Sequence, residues 1–257
     1  MILEKFALTD RVAIVTGSGR GIGKGLALGL ADAGAHVVST ARTLSEIEAT
    51  AEEVRGLGRK ALAVAADVRE REQVEHVVRK AAEAFGRIDI LVNNAGGTFV
   101  VNVLDMSEGQ WDALVRENLK PVFLCGKEVG RIMARQQAGC IINISSAASH
   151  FGAAGLAPYA AAKAATNSLT RTLAAELAPF KVRVNAIVCG GVLTPGLKDT
   201  LYPTPESQAD AVKNVLLARF GLPEDIALAA IYLASDAADW VTGQLLEVNG
   251  GLALSMA

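Results

Sequence analysis

Residues 11–23 read RVAIVTGSGRGIG, and the order of residue types in this stretch decides the fold. Val12 to Val15 form a short apolar run of β-branched character. Glycines follow at Gly17, Gly21 and Gly23, after which Ile22, Leu26, Leu30 and Ala33 recur at helical spacing. The stretch therefore reads as strand, glycine turn and helix. Glycine is needed where φ must be positive and where a diphosphate must approach backbone N–H groups closely. The helix N-terminus then meets that anion with its partial positive charge. Turn-rich chains match glycine patterns by chance, but a position directly after an N-terminal strand is far more specific. The spacing is G-x-x-x-G-x-G, not G-x-G-x-x-G. Gly25 and Gly29 add a small-residue pair on the same helix, which reads as close helix–sheet packing.

Outward from this unit, strand-like runs recur at residues 36–40, 61–65, 88–93, 140–145, 182–188 and 245–248. Helices are predicted between them at 45–57, 70–85, 107–133, 157–177 and 223–234. The inner runs are almost continuously apolar, as a sheet covered on both faces requires. This alternation predicts an α/β fold over residues 1–257: one doubly wound, mostly parallel, seven-stranded sheet flanked by helices. Ligands bind such sheets beyond the strand carboxyl ends. The glycine turn, Ala41-Arg42, Asp67, the NNAG of residues 93–96, Ser146 and Cys189-Gly190 all fall at such ends and converge on one crevice. Residues 191–221 contain Pro195, Pro203 and Pro205 and lack clear periodicity. A segment of that length in a compact domain is usually functional, and it reads as a substrate lid.

Bulk composition narrows the function class. The chain has 257 residues, is 51% apolar and carries a net charge of −2. That balance gives no reason to expect nucleic acid or an anionic membrane as partner. Cys125, Cys140 and Cys189 are odd in number and widely spaced, so no metal site and no disulfide framework is expected, which suits a reducing cytoplasm. The first ten residues are too short and mixed for a signal peptide, and no apolar run approaches the ~18 residues of a membrane span.

Chemistry enters at residues 144–163, ISSAASHFGAAGLAPYAAAK. With the alanine-rich part helical, Tyr159 and Lys163 share one face, one turn apart. A phenol with a pKa of about 10 is a poor acid–base group at neutral pH. A neighbouring ammonium favours the phenolate, and a hydroxyl such as that of Ser146 holds a substrate oxygen beside it. The set is a proton-transfer device for a carbonyl/alcohol pair. Tyr and Lys at this spacing also meet on ordinary solvated helix faces, so the surrounding motifs must carry the decision.

Together, TGSGRGIG, NNAG, Asn118, Ser146 and the Tyr159/Lys163 pair resemble the short-chain dehydrogenase/reductase family, from about Asp10 to Gly251. The resemblance implies a Rossmann-type fold and hydride transfer with a nicotinamide cofactor. It implies Tyr159 as acid/base, Ser146 as the group that polarises the carbonyl, Lys163 on the nicotinamide ribose and lowering the tyrosine pKa, and Asn118 completing a proton relay. The implied cofactor site comprises Gly17, Arg20, Gly21, Ile22, Gly23, Arg42, Asp67, Val68, Asn94, Ala95, Gly96, Tyr159, Lys163, Gly190, Val192 and Thr194. Family spacing puts the catalytic hydroxyl thirteen residues before the tyrosine, which leaves Ser145 as a strand-end residue. One departure stands out: RVNAIVCG has Cys189 where the family usually has proline, which predicts a looser loop at Val192 and Thr194.

An NAD-specific pocket needs a carboxylate at the end of the second strand. By family spacing Ala41 stands there, followed by Arg42, with Arg20 a second cation inside the glycine turn. Two guanidiniums favour a 2′-phosphate, so NADP(H) is the expected cofactor and NAD(H) a possible one. Residues 97–101 and 150–156 are small or apolar with one aromatic each, and the lid adds Leu193, Leu197, Leu201 and Tyr202. The expected substrate is a small apolar ketone or secondary alcohol, as in hydroxysteroid dehydrogenases. The alternatives are a 3-oxoacyl (carrier protein or CoA) reductase and a nucleotide sensor without turnover. Carrier-protein reductases generally dock their partner with two arginines, at positions that hold Gln137 and Phe180 here. The resemblance also implies a homotetramer, with the helices at 107–133 and 157–177 pairing between subunits. Leu114, Val122 and Leu169 serve such an interface or the core equally well.

Overall fold

Strand β1 (Val12–Thr16) is buried along its whole length, because it is apolar on both faces and flanked by strands on both sides. The computed structural model describes residues 1–252. From β1 the chain passes through helix α1 (Gly21–Asp32) to β2 (His36–Ala41), then through α2 (Leu44–Gly56) to β3 (Ala61–Ala65). Helix α3 (Arg71–Phe85) carries it back across β1 to β4 (Ile90–Asn93). Growth then runs the other way, through α4 (Glu108–Asn118) and α5 (Lys120–Gln136) to β5 (Gly139–Ser146). Next come α6 (Ala157–Leu177), β6 (Val182–Cys189), α7 (Pro195–Thr200), α8 (Pro205–Val212), α9 (Pro223–Ala234) and β7 (Leu245–Val248). The sheet order is β3-β2-β1-β4-β5-β6-β7, and every pairing is parallel. The direction of winding reverses between β1 and β4, which opens a crevice at their carboxyl ends.

Successive strand residues serve opposite faces. Ile142 belongs to one buried apolar cluster with Leu26 and Leu30 of α1 and Leu233 of α9, whereas Ile141 belongs to a second with Val78 of α3 and Val129 and Met133 of α5. Two apolar layers thus hold the sheet from both sides, as its near-continuous apolar strands demand. The expected strand runs all appear, and β5 and β6 extend one residue further to include Ser146 and Cys189.

Three local expectations are corrected. Gly25 and Gly29 pack helix on helix, not helix on sheet. A Cβ on Gly25 would stand 2.5 Å from Pro223 Cβ, and one on Gly29 would stand 2.7 Å from Ala227 Cβ, both on α9. The predicted helix over 107–133 is two helices broken at Leu119, where α4 closes with the Leu119 N–H on the Val115 carbonyl. Pro121 explains the break: it has no N–H to give, and its ring crowds the carbonyl four residues back. Residues 191–221 are not featureless. Thr194 and Thr204 cap α7 and α8, and each helix starts on a proline, where the missing N–H costs nothing. Beyond α8, the segment is tied to the start of α9 by Arg219, which donates to Asp225 at 2.7 and 2.9 Å. That guanidinium, helped by the Leu222 N–H, pulls the Asp225 carboxyl down to about 2.

Candidate active site

The glycine turn is a cradle that side chains would fill. Gly17 and Gly21 have φ of +66° and +54°, a region costly for any other residue. A Cβ on Gly23 would lie 2.0 Å from the Gly17 carbonyl oxygen. From β4, Asn94 locks the turn, its Nδ2 donating to the Thr16 and Gly17 carbonyls at 2.9 and 3.3 Å. The Thr16 hydroxyl accepts from the Asn94 and Ala95 N–H groups at 2.9 and 3.0 Å. Thr16 is a positioning residue that the motif reading passed over. The first-turn N–H groups of α1 face the crevice, with Ile22 packed back onto the core. This is the donor set and the shape that a diphosphate requires.

Ser146, Tyr159 and Lys163 meet at the end of β5. The Tyr159 phenol stands beside Ser146, whose hydroxyl pulls its pKa down. Lys163 is buried, donates from Nζ to the Ile144 carbonyl at 2.9 Å and lies 5.6 Å from the Tyr159 ring centre. Ser145 is buried on the other side of the strand end and donates to the Lys163 carbonyl at 3.3 Å, so it anchors α6. Asn118, at the helix break, is fully buried and bridges to the NNAG turn. Its Nδ2 donates to the Gly97 carbonyl at 2.8 Å and its Oδ1 accepts the Gly97 N–H at 3.3 Å. A Cβ on Gly96 would stand 2.6 Å from Asn118 Oδ1 and 3.7 Å from Lys163 Nζ, so only glycine lets these groups share the corner.

The expected lowering of the tyrosine pKa is corrected here. Burial dominates and raises the Tyr159 pKa, the Ser146 hydrogen bond opposes it, and Cys189 adds a smaller upward push. The same burial pulls Lys163 down to about 8. Desolvation therefore dominates at both groups. Cys189 is buried beside Lys163, and burial raises its thiol to about 12. The loop after it is held, not loosened: Val192 bridges to Gly221, and the Gly190 N–H donates to the Val248 carbonyl at 3.2 Å. Thr194 packs close to Gly21, 3.3 Å from where a Cβ would stand.

At the end of the crevice beyond β2 and β3, Arg20 is exposed and Arg42 is exposed with Glu117 3.9 Å away. Asp67 is clamped by Arg69 at 2.6–3.0 Å, which lowers its pKa. Val68 turns its side chain into the core beside Val74 and Val77, so only its backbone can serve a ligand. His150 Nε2 lies 2.9 Å from Glu247 on β7. No long-range signal in the chain could have announced that pair. Among the described residues, no helix is long and apolar enough to cross a membrane.

The sequence pattern described as short chain dehydrogenase matches residues 11–202. A 3-oxoacyl-[acyl-carrier-protein] reductase of Synechocystis is 41% identical over 250 residues, covering 96% of this chain and 99% of the relative. A solved structure from Beutenbergia cavernae, provisionally assigned as an NAD(P)-dependent gluconate 5-dehydrogenase, holds NADP at low occupancy. It superposes with a TM-score of 0.92 at 38% identity, over 97% of this chain and 99% of that one. A 7α-hydroxysteroid dehydrogenase solved with NADH and 7-oxo glycochenodeoxycholic acid gives a TM-score of 0.93 at 34% identity, over 97% and 96%.

Proposed function

The chain belongs to the short-chain dehydrogenase/reductase family, and we propose that it moves a hydride between NADP(H) and an apolar ketone or secondary alcohol. It is an oxidoreductase of CH–OH groups. The observation that carries the finer reading is the Ser146–Tyr159–Lys163 contact beside a glycine cradle shaped for a diphosphate. A nicotinamide cofactor bound there supplies or takes the hydride at the carbinol carbon. In the reducing direction, Tyr159 gives its phenolic proton to the substrate oxygen as negative charge builds on it. Ser146 donates a hydrogen bond to that oxygen and keeps it in line with the phenol. Lys163, held by the Ile144 carbonyl, stabilises the phenolate, and Asn118, bonded to Gly97 at the same corner, completes the proton relay. In the oxidising direction, Tyr159 takes the proton back.

NADP(H) is favoured by Arg20 and Arg42, the two exposed cations flanking the adenosine end. Gly17, Gly21, Ile22, Gly23, Asn94, Ala95, Gly96, Asp67, Val68, Gly190, Val192 and Thr194 make up the rest of the cofactor site in this reading. Residues 191–221 act as the lid of a domain that spans the chain; its residues 253–257 lie outside the described part. A cytoplasmic homotetramer completes the proposal, and three buried free thiols fit a reducing setting.

A second reading, reduction of 3-oxoacyl thioesters, is favoured by the Synechocystis relative. Gln137 and Phe180 at the expected docking positions count against a carrier protein. The test is a panel of cyclic, aryl and steroid-like ketones, a 3-oxoacyl thioester and sugars, each with NADPH and NADH. Highest kcat/KM for an apolar ketone with NADPH is the expected result. A faster sugar would overturn the substrate class, and tight nucleotide binding without any turnover would favour a sensor.

A further inference from the structure

Thr43-Leu44-Ser45-Glu46 opens α2 in the order of a capping box, with Thr43 at the N-cap and Glu46 three residues on. In that motif the threonine hydroxyl caps one N–H and the glutamate reaches back to another. Here neither half forms: the Thr43 side chain caps nothing and Glu46 does not turn back. Helices α4 and α8 make both halves at the same spacing. Glu46 lies instead against the phosphate turn. A Cβ on Gly19 would stand 2.8 Å from Glu46 Cβ and 3.0 Å from Glu46 Oε2. The residue is half-buried, and among the described residues its carboxylate has no ion pair and no hydrogen bond. Thr50 donates to its backbone carbonyl only.

We propose that Glu46 sets cofactor discrimination: its carboxylate opposes the 2′-phosphate of NADP(H) and accepts hydrogen bonds from the unphosphorylated ribose of NAD(H). The inference rests on reading the glycine turn as the nucleotide site, with Arg20 and Arg42 as the attractive arm. A carboxylate on the turn then does from α2 what an acid at the end of β2 would do, and Ala41 leaves that position empty of charge. Attraction from two arginines and repulsion from one glutamate make a site that takes both cofactors, with the ratio set by Glu46.

Isothermal titration of the full chain with 2′,5′-ADP and with 5′-ADP tests this without a nicotinamide or a turnover step. A like-charge contact in water is worth about fivefold in affinity. Glu46→Gln should therefore tighten 2′,5′-ADP about fivefold or more and leave 5′-ADP unchanged or weaker. Glu48→Gln, on the same helix but facing Arg55 at 3.8 Å, should move neither. A ratio of the two Kd values that shifts by less than about twofold in Glu46→Gln overturns the proposal. So does an equal shift in Glu48→Gln, since bulk helix charge would then suffice. A wild type that binds 5′-ADP more tightly would sink the NADP(H) preference alone, because Glu46 is judged by the change in ratio.

Discussion

At Tyr159, burial and hydrogen bonding pull in opposite directions, and the balance sets what each neighbour can do. With the phenol pushed up by burial, a proton sits on it at neutral pH, which suits donation to a carbonyl. Tyr159→Phe should keep the fold and nucleotide binding and lower kcat by about 10²–10⁴, the usual worth of a general acid–base group. Ser146→Ala should fall in the same range, whereas Ser145→Ala, which removes only a tie to the Lys163 carbonyl, should lose less than about tenfold. Reversed severities would put the catalytic hydroxyl in the wrong register. Lys163 gives a second test, on stability. Its folded pKa of about 8 lies below the ordinary 10.5, so between those values the unfolded chain binds more protons. Stability from this residue therefore rises as pH climbs through that window. Lys163→Met never buries an ammonium, so its stability advantage over wild type should be largest below pH 8 and shrink toward pH 10. Urea unfolding of both proteins across that range reads it, and a pH-independent difference would show that Lys163 is not desolvated in solution.

Among the elements, the glycines of α1 divide into two jobs that one substitution each can separate. Gly23→Ala drives a methyl into the Gly17 carbonyl, so the turn must open. Nucleotide affinity should drop more than about tenfold, beyond what a stability loss of overpacking size implies. Gly25→Ala meets Pro223 instead and should cost about 1–3 kcal/mol in urea unfolding while nucleotide affinity stays within about twofold. Equal effects on binding would mean that the turn tolerates a side chain. These positions were legible in the chain because a glycine's steric need is local and shows as spacing. The Tyr159/Lys163 face was legible for the same reason: one helical turn fixes it. The break at Leu119 was not, since the apolar pattern continues through it and only Pro121 signals the gap. Nor was the role of Glu46. Its sequence context spells a helix cap, and the turn that it meets instead, at Gly19, lies far back in the chain, before β2.

Across the whole molecule, parallel pairing aims every strand's carboxyl end the same way, which is why motifs scattered from Gly17 to Thr194 share one crevice. That convergence was readable from the alternation of strands and helices, because parallel neighbours demand crossovers. Assembly was not. Of the three apolar residues open to either use, Leu114 and Val122 are buried in the core, and Leu169 on α6 is only half-buried. The structure instead exposes Trp111 on α4 and Phe123 on α5, with Trp240 wholly exposed before β7. Aromatic residues are enriched in protein–protein interfaces relative to the rest of the surface. The helices that carry Trp111 and Phe123 are those expected to pair between subunits. In light scattering at micromolar concentration the protein should show four times its chain mass of 26.7 kDa, or at least twice it. Phe123→Asp puts a charge into that face at a side chain that is half exposed, with the Lys127 ammonium 5.8 Å from its ring centre. It should lower the mass while the helical circular dichroism signal is kept. A wild type of 26.7 kDa would end the proposal of an oligomer, and a Phe123→Asp variant of unchanged mass would move the interface away from α5.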